Sequence, residues 1–222
     1  MKALIFRAIG EFARFRCPYT TTSALTYTII HPIAIKGLIG AIMGIEYNDL
    51  YEYTKNMKIG IQVLKPVKKD TQSFNLIPQV KNNGSANFQT RVEFLRDVDY
   101  RIFITDEEKK LELIKNTLKS REYIFTPYLG ASEHIAKLIY ENIEEINDID
   151  INLEVSADTA IPRENFVIHN EETTIYLDRI PIDNKKTREY SRYEKIVFTS
   201  NKKINTNSKK IKKVGEYNVY FF

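Results

Sequence analysis

The stretch VDYRIFITDEEKKLELIKNTL, residues 98–118, changes its apolar period part-way along. Val98, Tyr100, Ile102 and Ile104 alternate with Asp99, Arg101 and Phe103, the period of two of a strand with one face on a core. Thr105 then precedes Asp106, Glu107 and Glu108, a capping-box pattern with acids in the first turn, and Leu111, Ile114 and Leu118 follow at helical spacing. A strand therefore runs straight into an amphipathic helix. Upstream, Ile59, Ile61 and Val63 alternate with Lys58, Gly60 and Gln62, giving a half-buried strand that Pro66 ends. Before that, PIAIKGLIGAIMGI (32–45) places Ile35, Leu38, Ile39 and Ile42 on one helix face, opened by Pro32 and closed by Gly44. Gly37, Gly40 and Gly44 bare a strip of that helix for close packing. KALIFRAI (2–9) is the nearly continuous apolar run of a central strand, and Tyr123, Ile124 and Phe125 supply a fourth strand. The order strand, helix, strand, strand, helix, strand predicts an α+β fold with a ferredoxin-like (RRM-like) βαββαβ domain over residues 1–130.

One length does not fit a minimal version of this fold. About 25 residues separate the second and third strands, where a hairpin normally needs 2 to 5. The insert, VKKDTQSFNLIPQVKNNGSANFQTRVEF (67–94), carries Asn82-Asn83-Gly84 at its middle, a tight-turn signal between polar arms. It reads as an extended hairpin over 67–92, with a surface loop as the alternative. Past residue 130 the strand signals are weaker, at 175–180, 196–198 and 217–222, so 131–222 is expected to form a small β-rich C-terminal region.

The chain has 222 residues, 43% hydrophobic and 28% charged, enough for a sizeable core. The single cysteine, Cys17, excludes an internal disulfide framework, and no apolar run approaches the roughly 18 residues of a membrane span. A cytoplasmic protein with no membrane partner is expected. The net charge of +4 hides an asymmetry. Residues 106–154 hold twelve acids against six bases, whereas 185–213 hold eleven bases against Glu189 and Glu194. The basic block is either a solvated loop or a polyanion contact.

The densest constellation of binding chemistry lies in FARFRCPYTTTSALTYTIIHPIAIKGLIGAIMGI (12–45). Arg14 and Arg16 flank Phe15, and Tyr19 and Tyr27 bracket Thr20, Thr21, Thr22, Ser23 and Thr26. Guanidinium groups bind phosphate bidentately, aromatic rings stack on unpaired bases, and hydroxyls bond phosphate or 2′-OH groups. Arg-Phe-Arg is equally consistent with an edge strand whose aromatic ring turns inward.

The run from Phe12 through Arg16, Pro18, the threonines, Thr26-Tyr27, Pro32 and GLIGAIMGI (37–45) resembles the opening signature of the CRISPR-associated protein family numbered five. PYLGASEHIA (127–136) is similar to that family's leucine-glycine-x-serine-glutamate block. The resemblance, strongest to the type I-B branch, implies a ferredoxin-like RNA-binding domain of the RAMP superfamily at the foot of a type I Cascade surveillance complex in antiviral defence. It implies that the chain caps the 5′ handle of the guide RNA (crRNA) and touches the backbone and large subunits, meeting target DNA only through the complex. The inserted hairpin falls where the family's thumb folds over the guide. On this reading Arg7, Arg14, Arg16 and Lys36 hold handle phosphates, Tyr19 and Tyr27 stack on bases, and Gln79, Lys81, Asn83 and Arg91 carry the thumb across the guide.

One branch of the family, from type I-C systems, is a metal-independent endoribonuclease using tyrosine, lysine and histidine. The best local trio here is Tyr128, His134 and Lys137, but the segment also matches non-cutting relatives, so the chain is expected to bind RNA without processing it. His31 precedes the first helix and His169 stands apart. No histidine pair at i, i+4, no cysteine cluster and no Gly-Lys-Ser/Thr ending to GLIGAIMG are present, so neither metal nor nucleotide cofactor is implied.

Overall fold

The computed structural model describes residues 1–20, 23–76, 88–149, 155–168 and 173–222. Strand β1 (Lys2–Ala13) is the centre of the main sheet. A two-residue β2 (Ser23–Ala24), helix α1 (Pro32–Met43), a short α2 (Leu50–Thr54) and strand β3 (Lys58–Val63) follow. Then come β4 (Lys68–Leu76), the 18-residue β5 (Phe88–Thr105), α3 (Glu108–Ser120) and β6 (Lys137–Asp148). β1 runs antiparallel to β5 on one side and to β6 on the other, and β3 pairs antiparallel with β5. The resulting order β6-β1-β5-β3 is that of the ferredoxin-like sheet, as expected.

Alternation along these strands decides what each face meets. Leu4, Phe6 and Ala8 of β1 and Tyr100, Ile102 and Ile104 of β5 pack under Ile35, Ile39 and Ile42 of α1 and Leu111, Ile114 and Leu118 of α3. The opposite face turns Ala3, Ile5 and Phe103 against Val214 and Val219. α3 starts later than the sequence pattern suggests. Thr105 ends β5, Glu107 is the N-cap and makes no side-chain cap bond, and Asp106 instead accepts from the Glu107 amide and pairs with Lys110 at 2.8 Å.

The insert is a hairpin. β4 pairs antiparallel with the first half of β5, from Lys68 opposite Arg96 to Asn75 opposite Gln89, while the second half of β5 lies in the main sheet. One long strand therefore ties the hairpin to the core, and β2 runs parallel to it at Arg91 and Val92. Residues 77–87, with Gln79, Lys81 and Asn83 of the expected thumb, lie outside the described residues.

The fourth strand differs from the expectation. Tyr123–Phe125 is a connector: the Ile124 and Phe125 amides donate to the Ile42 and Ala41 carbonyls and close the end of α1. The sheet is completed by β6, beyond residue 130. β6 was hidden because it reads KLIYENIEEIND, with charged residues on a half-exposed edge rather than a clean apolar alternation. Three apolar residues in a row do not distinguish a strand from a helix-sealing turn.

The C-terminal region is β-rich, as expected, but shares the core. β7 (Val155–Ala157) pairs with β11 (Ile204–Thr206), and β8 (Ile161–Pro162), β10 (Tyr190–Phe198) and β9 (Tyr176–Asn184) form a second sheet. β9 lies against α1, and Ile180, Ile182, Ile196 and Phe198 join the same apolar cluster as the main sheet. β12 (Lys212–Val214) extends the main sheet beside β6, and β13 (Tyr217–Val219) pairs with β12. The outer edge of β3 is bonded by Phe222, Ala160 and Asn201, which covers groups that would otherwise offer a free edge. Among the described residues no helix is long and apolar enough to cross a membrane.

Because β6 supplies the second partner of β1 and residues past 155 cover α1 and β3, a chain ending at residue 130 is expected to stay unfolded. Circular dichroism during heating should show no cooperative transition for 1–130, in contrast to 1–222; a sharp transition in the short chain would contradict this topology.

Candidate nucleic-acid interface

After β1 the chain turns and residues 14–17 pair with residues 25–27. The Cys17 amide donates to the Leu25 carbonyl, Phe15 N–H to Thr26 Oγ1 at 2.9 Å, and Tyr27 N–H to the Phe15 carbonyl at 2.9 Å. Strand-like alternation then sends Phe15 inward, its ring centre 6.3 Å from Tyr100 and 6.1 Å from His31. Arg14 and Arg16 consequently face out, on the wall of a cleft of about 290 Å³. The inward-aromatic reading of Arg-Phe-Arg is thus correct, and it is what presents the two arginines.

The other walls come from distant parts of the chain. α1 contributes Ala34 and Gly37, the loop before β6 contributes Tyr128 and Gly130, and the β9–β10 hairpin contributes Arg188 and Tyr190. A Cβ at Gly37 would meet nothing within 4 Å, so this glycine opens the helix backbone to the cleft. Gly40 packs on Leu50, and Gly44 takes φ 67° to cap the helix. Gly130 has φ 87°, and a side chain there would collide with the Arg14 carbonyl. Together with the 3.0 Å bond from Arg14 N–H to the Leu129 carbonyl, this close approach fixes Arg14 against the loop.

Three guanidinium groups, from Arg14, Arg16 and Arg188, thus line one cleft that no carboxylate among the described residues lines. Among the described residues none of the three is in an ion pair. Arg14 Nε is buried with no hydrogen-bond partner. Burial and the neighbouring Arg16 charge push the Arg14 pKa down, against the pull of Glu133. Such an arrangement favours an anion with several acceptor oxygens.

A second cavity of about 220 Å³ continues from the first across Ile33, Gly37, Arg188 and Tyr190. Lys36, Lys186, Tyr47 and Tyr51 line it. The Arg188 guanidinium carbon sits 3.9 Å above the centre of the Tyr47 ring, on a residue with φ 67°.

The structure sorts the predicted residues. Arg14, Arg16 and Lys36 come together along this surface, and Tyr19 is exposed at its ring, 6.4 Å from Tyr27. Tyr27 requires correction: it is 1% exposed, wedged against His31 at 5.4 Å, and has no free face for a base. Arg7 also requires correction. It lies on the other face of the sheet in a two-pronged pair with Asp99. Arg91 is exposed on the hairpin, opposite Ser73. Gln79, Lys81 and Asn83, and with them Thr21, Thr22 and His169, lie outside the described residues. Thr26 and Thr28 spend their hydroxyls internally, on the Tyr27 carbonyl and on Asp178. Of the trio Tyr128, His134 and Lys137, only Tyr128 lines the cleft. His134 sits between the Phe12 and Phe94 rings, and Lys137 opens β6 opposite Ile9. Sequence reasoning missed Arg188, Lys186, Tyr47, Tyr51 and Tyr190. The basic block from Lys185 was the available signal for the first two, but nothing local says that a hairpin carries it to α1. Among the described residues no group of three or more potential ligands is placed to hold a metal.

His31 ties the interface to the core. Its Nδ1 accepts from Ala34 N–H at 3.2 Å and caps α1, and its ring meets Tyr27, Phe15 and Tyr190. Burial lowers its pKa to about 3 from 6.5. Below pH 6.5 the unfolded chain takes up a proton that the folded chain refuses, so this histidine withdraws up to about 1.4 kcal/mol of stability per pH unit as pH falls. Asparagine keeps a capping acceptor without titrating. Urea midpoints measured from pH 7 to 4.5 are expected to fall more steeply for the native chain than for His31→Asn; parallel curves would show that His31 is not buried neutral.

The family described as CRISPR-associated protein (Cas_Cas5) matches residues 3–209. No curated protein matches the chain in sequence. Among solved structures, a chain of a "CRISPR RNA-guided surveillance complex" superposes with TM-score 0.57 at 14% identity, over 91% of each chain. A CRISPR protein from Archaeoglobus fulgidus superposes with TM-score 0.52 at 13% identity, over 99% of this chain and 98% of that one. A chain of the Type III-B Cmr-beta structure bound to cognate target RNA and AMPPnP gives 0.51 at 14% identity, over 93% and 86%. At these identities the likeness is one of fold. The match of the family over nearly the whole length is what makes this chain a member of the Cas_Cas5 family of CRISPR-associated proteins.

Proposed function

We propose that this protein is an RNA-binding subunit of a type I CRISPR surveillance complex that holds the 5′ handle of the guide RNA and does not cut it. The observation that carries the reading is the convergence of Arg14, Arg16 and Arg188 on one cleft, without ion-pair partners among the described residues, with Arg14 Nε buried and lacking an acceptor there. A phosphodiester chain supplies the missing acceptors, and the bared backbone at Gly37 lets it approach α1. Family membership, and neighbours named as parts of a surveillance complex and of an RNA-bound Cmr-beta, agree with this assignment. On this reading the β4–β5 hairpin, rooted through β5 in the same sheet, is the thumb that crosses the guide. The backbone and large subunits are the proposed protein partners, and target DNA is met only through the complex.

The absence of cutting is part of the proposal. Strand cleavage through the 2′-OH needs a base and an acid at the scissile phosphate. The histidine that lines the cleft, His31, has its Nδ1 committed to the helix cap and stays neutral, and His134 packs between two phenylalanine rings.

Purified protein incubated with labelled CRISPR-repeat RNA in chelator tests both parts. Retention of intact RNA is expected, with affinity falling with salt at a log–log slope near −2, about −0.7 for each of three phosphates. Arg14→Ala, Arg16→Ala and Arg188→Ala should each weaken binding about tenfold, the worth of a lost charge-assisted hydrogen bond. Unchanged affinity in all three would contradict the cleft as the site, and discrete cleavage abolished by His134→Ala would overturn the non-cutting assignment.

A further inference from the structure

We infer that the second cavity is a base pocket: it receives one unstacked nucleotide of the RNA strand whose phosphates run through the arginine cleft. This rests on the RNA-binding reading of that cleft and adds a sequence-reading element to it. The two cavities share a wall at Arg188 and Tyr190, so a strand held by Arg14 and Arg16 has a continuous path from the first into the second.

The lining has the chemistry of a base site. Tyr47, Tyr51 and Tyr190 provide ring surface, and among the described residues no carboxylate lines the cavity to repel the strand. Arg188 over Tyr47 makes a guanidinium–ring platform of the kind on which unpaired bases stack. Tyr47 is 60% exposed, which leaves ring surface open beside Arg188. At about 220 Å³ the space is below the roughly 300–1,000 Å³ of drug-sized sites, which suits one base rather than two.

Lys36 indicates what the pocket reads. The residue is 8% exposed, yet among the described residues its ammonium group makes no hydrogen bond or ion pair. Asp183 and Asp106 act on it only enough to offset part of the burial that lowers its pKa. A buried ammonium without an acceptor is costly, and a ligand oxygen removes the cost. Lysine donates only, so it favours a base edge whose acceptors stand clear of an amino donor, as with O6 and N7 of guanine or the carbonyls of uracil, over adenine, whose N7 stands beside the N6 amino group.

The test uses the full-length protein and labelled CRISPR-repeat RNAs in which one position at a time is made abasic. In the native protein a single position is expected to cost about tenfold in affinity, the worth of one stacked base. At that position guanine or uracil should bind better than adenine. Tyr47→Ala should erase the abasic penalty and Lys36→Met the carbonyl preference, whereas Arg14→Ala should weaken every RNA and leave both intact. A flat profile in RNA that still binds, or a penalty that survives both Tyr47→Ala and Lys36→Met, would overturn the pocket while leaving the cleft standing. If GMP or UMP binds in a Tyr47-dependent way and the profile is flat, the cavity takes a free nucleotide and the in-strand assignment is wrong. Native protein that binds none of the RNAs would sink both readings together.

Discussion

The packing of Phe15 between Tyr100 and His31 is the contact on which the interface depends. Tyr100 belongs to the central strand β5, His31 caps α1, and Phe15 belongs to the segment leaving β1, so one ring fixes three elements relative to one another. Once Phe15 is inside, strand alternation leaves Arg14 and Arg16 no direction but outward. The same burial keeps His31 neutral, which frees its Nδ1 lone pair to cap the helix whose backbone floors the cleft. Core and interface are thus a single packing solution, and a change at Phe15 would move the arginines as well as open a cavity.

Charge is partitioned across the main sheet in keeping with this. On the face away from the cleft, Arg7 is held by Asp99, and Arg101 is held by Glu141 at 2.6 Å with Gln62 and the Tyr217 ring alongside. Those guanidinium groups are satisfied internally and have little to offer a phosphate. On the cleft side, Arg14, Arg16, Lys36 and Arg188 are left without counter-ions among the described residues. Where such a cation is buried, as at Lys36, lacking a counter-ion costs stability that a bound anion would recover. The contrast between the two faces, more than the net charge of +4, is what the proposed RNA site rests on.

Much of the fold was legible in the sequence because its strands and helices keep clean periods. The switch at Thr105, the alternation of 58–63 and the inserted hairpin, inferred from an overlong connection, all reflect local rules. What escaped was non-local. β6 has the composition of an acidic loop and becomes a strand only because β1 offers it an edge. Tyr27 sits among hydroxyls that suggest a surface, but the register with Phe15 turns its ring inward. Arg7 is a basic residue near the others in sequence, yet it alternates with Leu4, Phe6 and Ala8 and shares the face of Ala3 and Ile5, away from the helices. Arg188 lies some 170 positions from Arg16 and enters the cleft because β9 packs on α1, a tertiary choice with no local signature.

Hydrogen exchange with and without CRISPR-repeat RNA tests the central claim most directly, because it reports each face separately. Slowed exchange is expected in peptides covering residues 12–20, 31–41 and 183–192, with the far face around residues 139–145 and 215–219 unchanged. Protection confined to the far face, with none at α1 and the β9–β10 loop, would contradict the assignment of the arginine cleft as the RNA site.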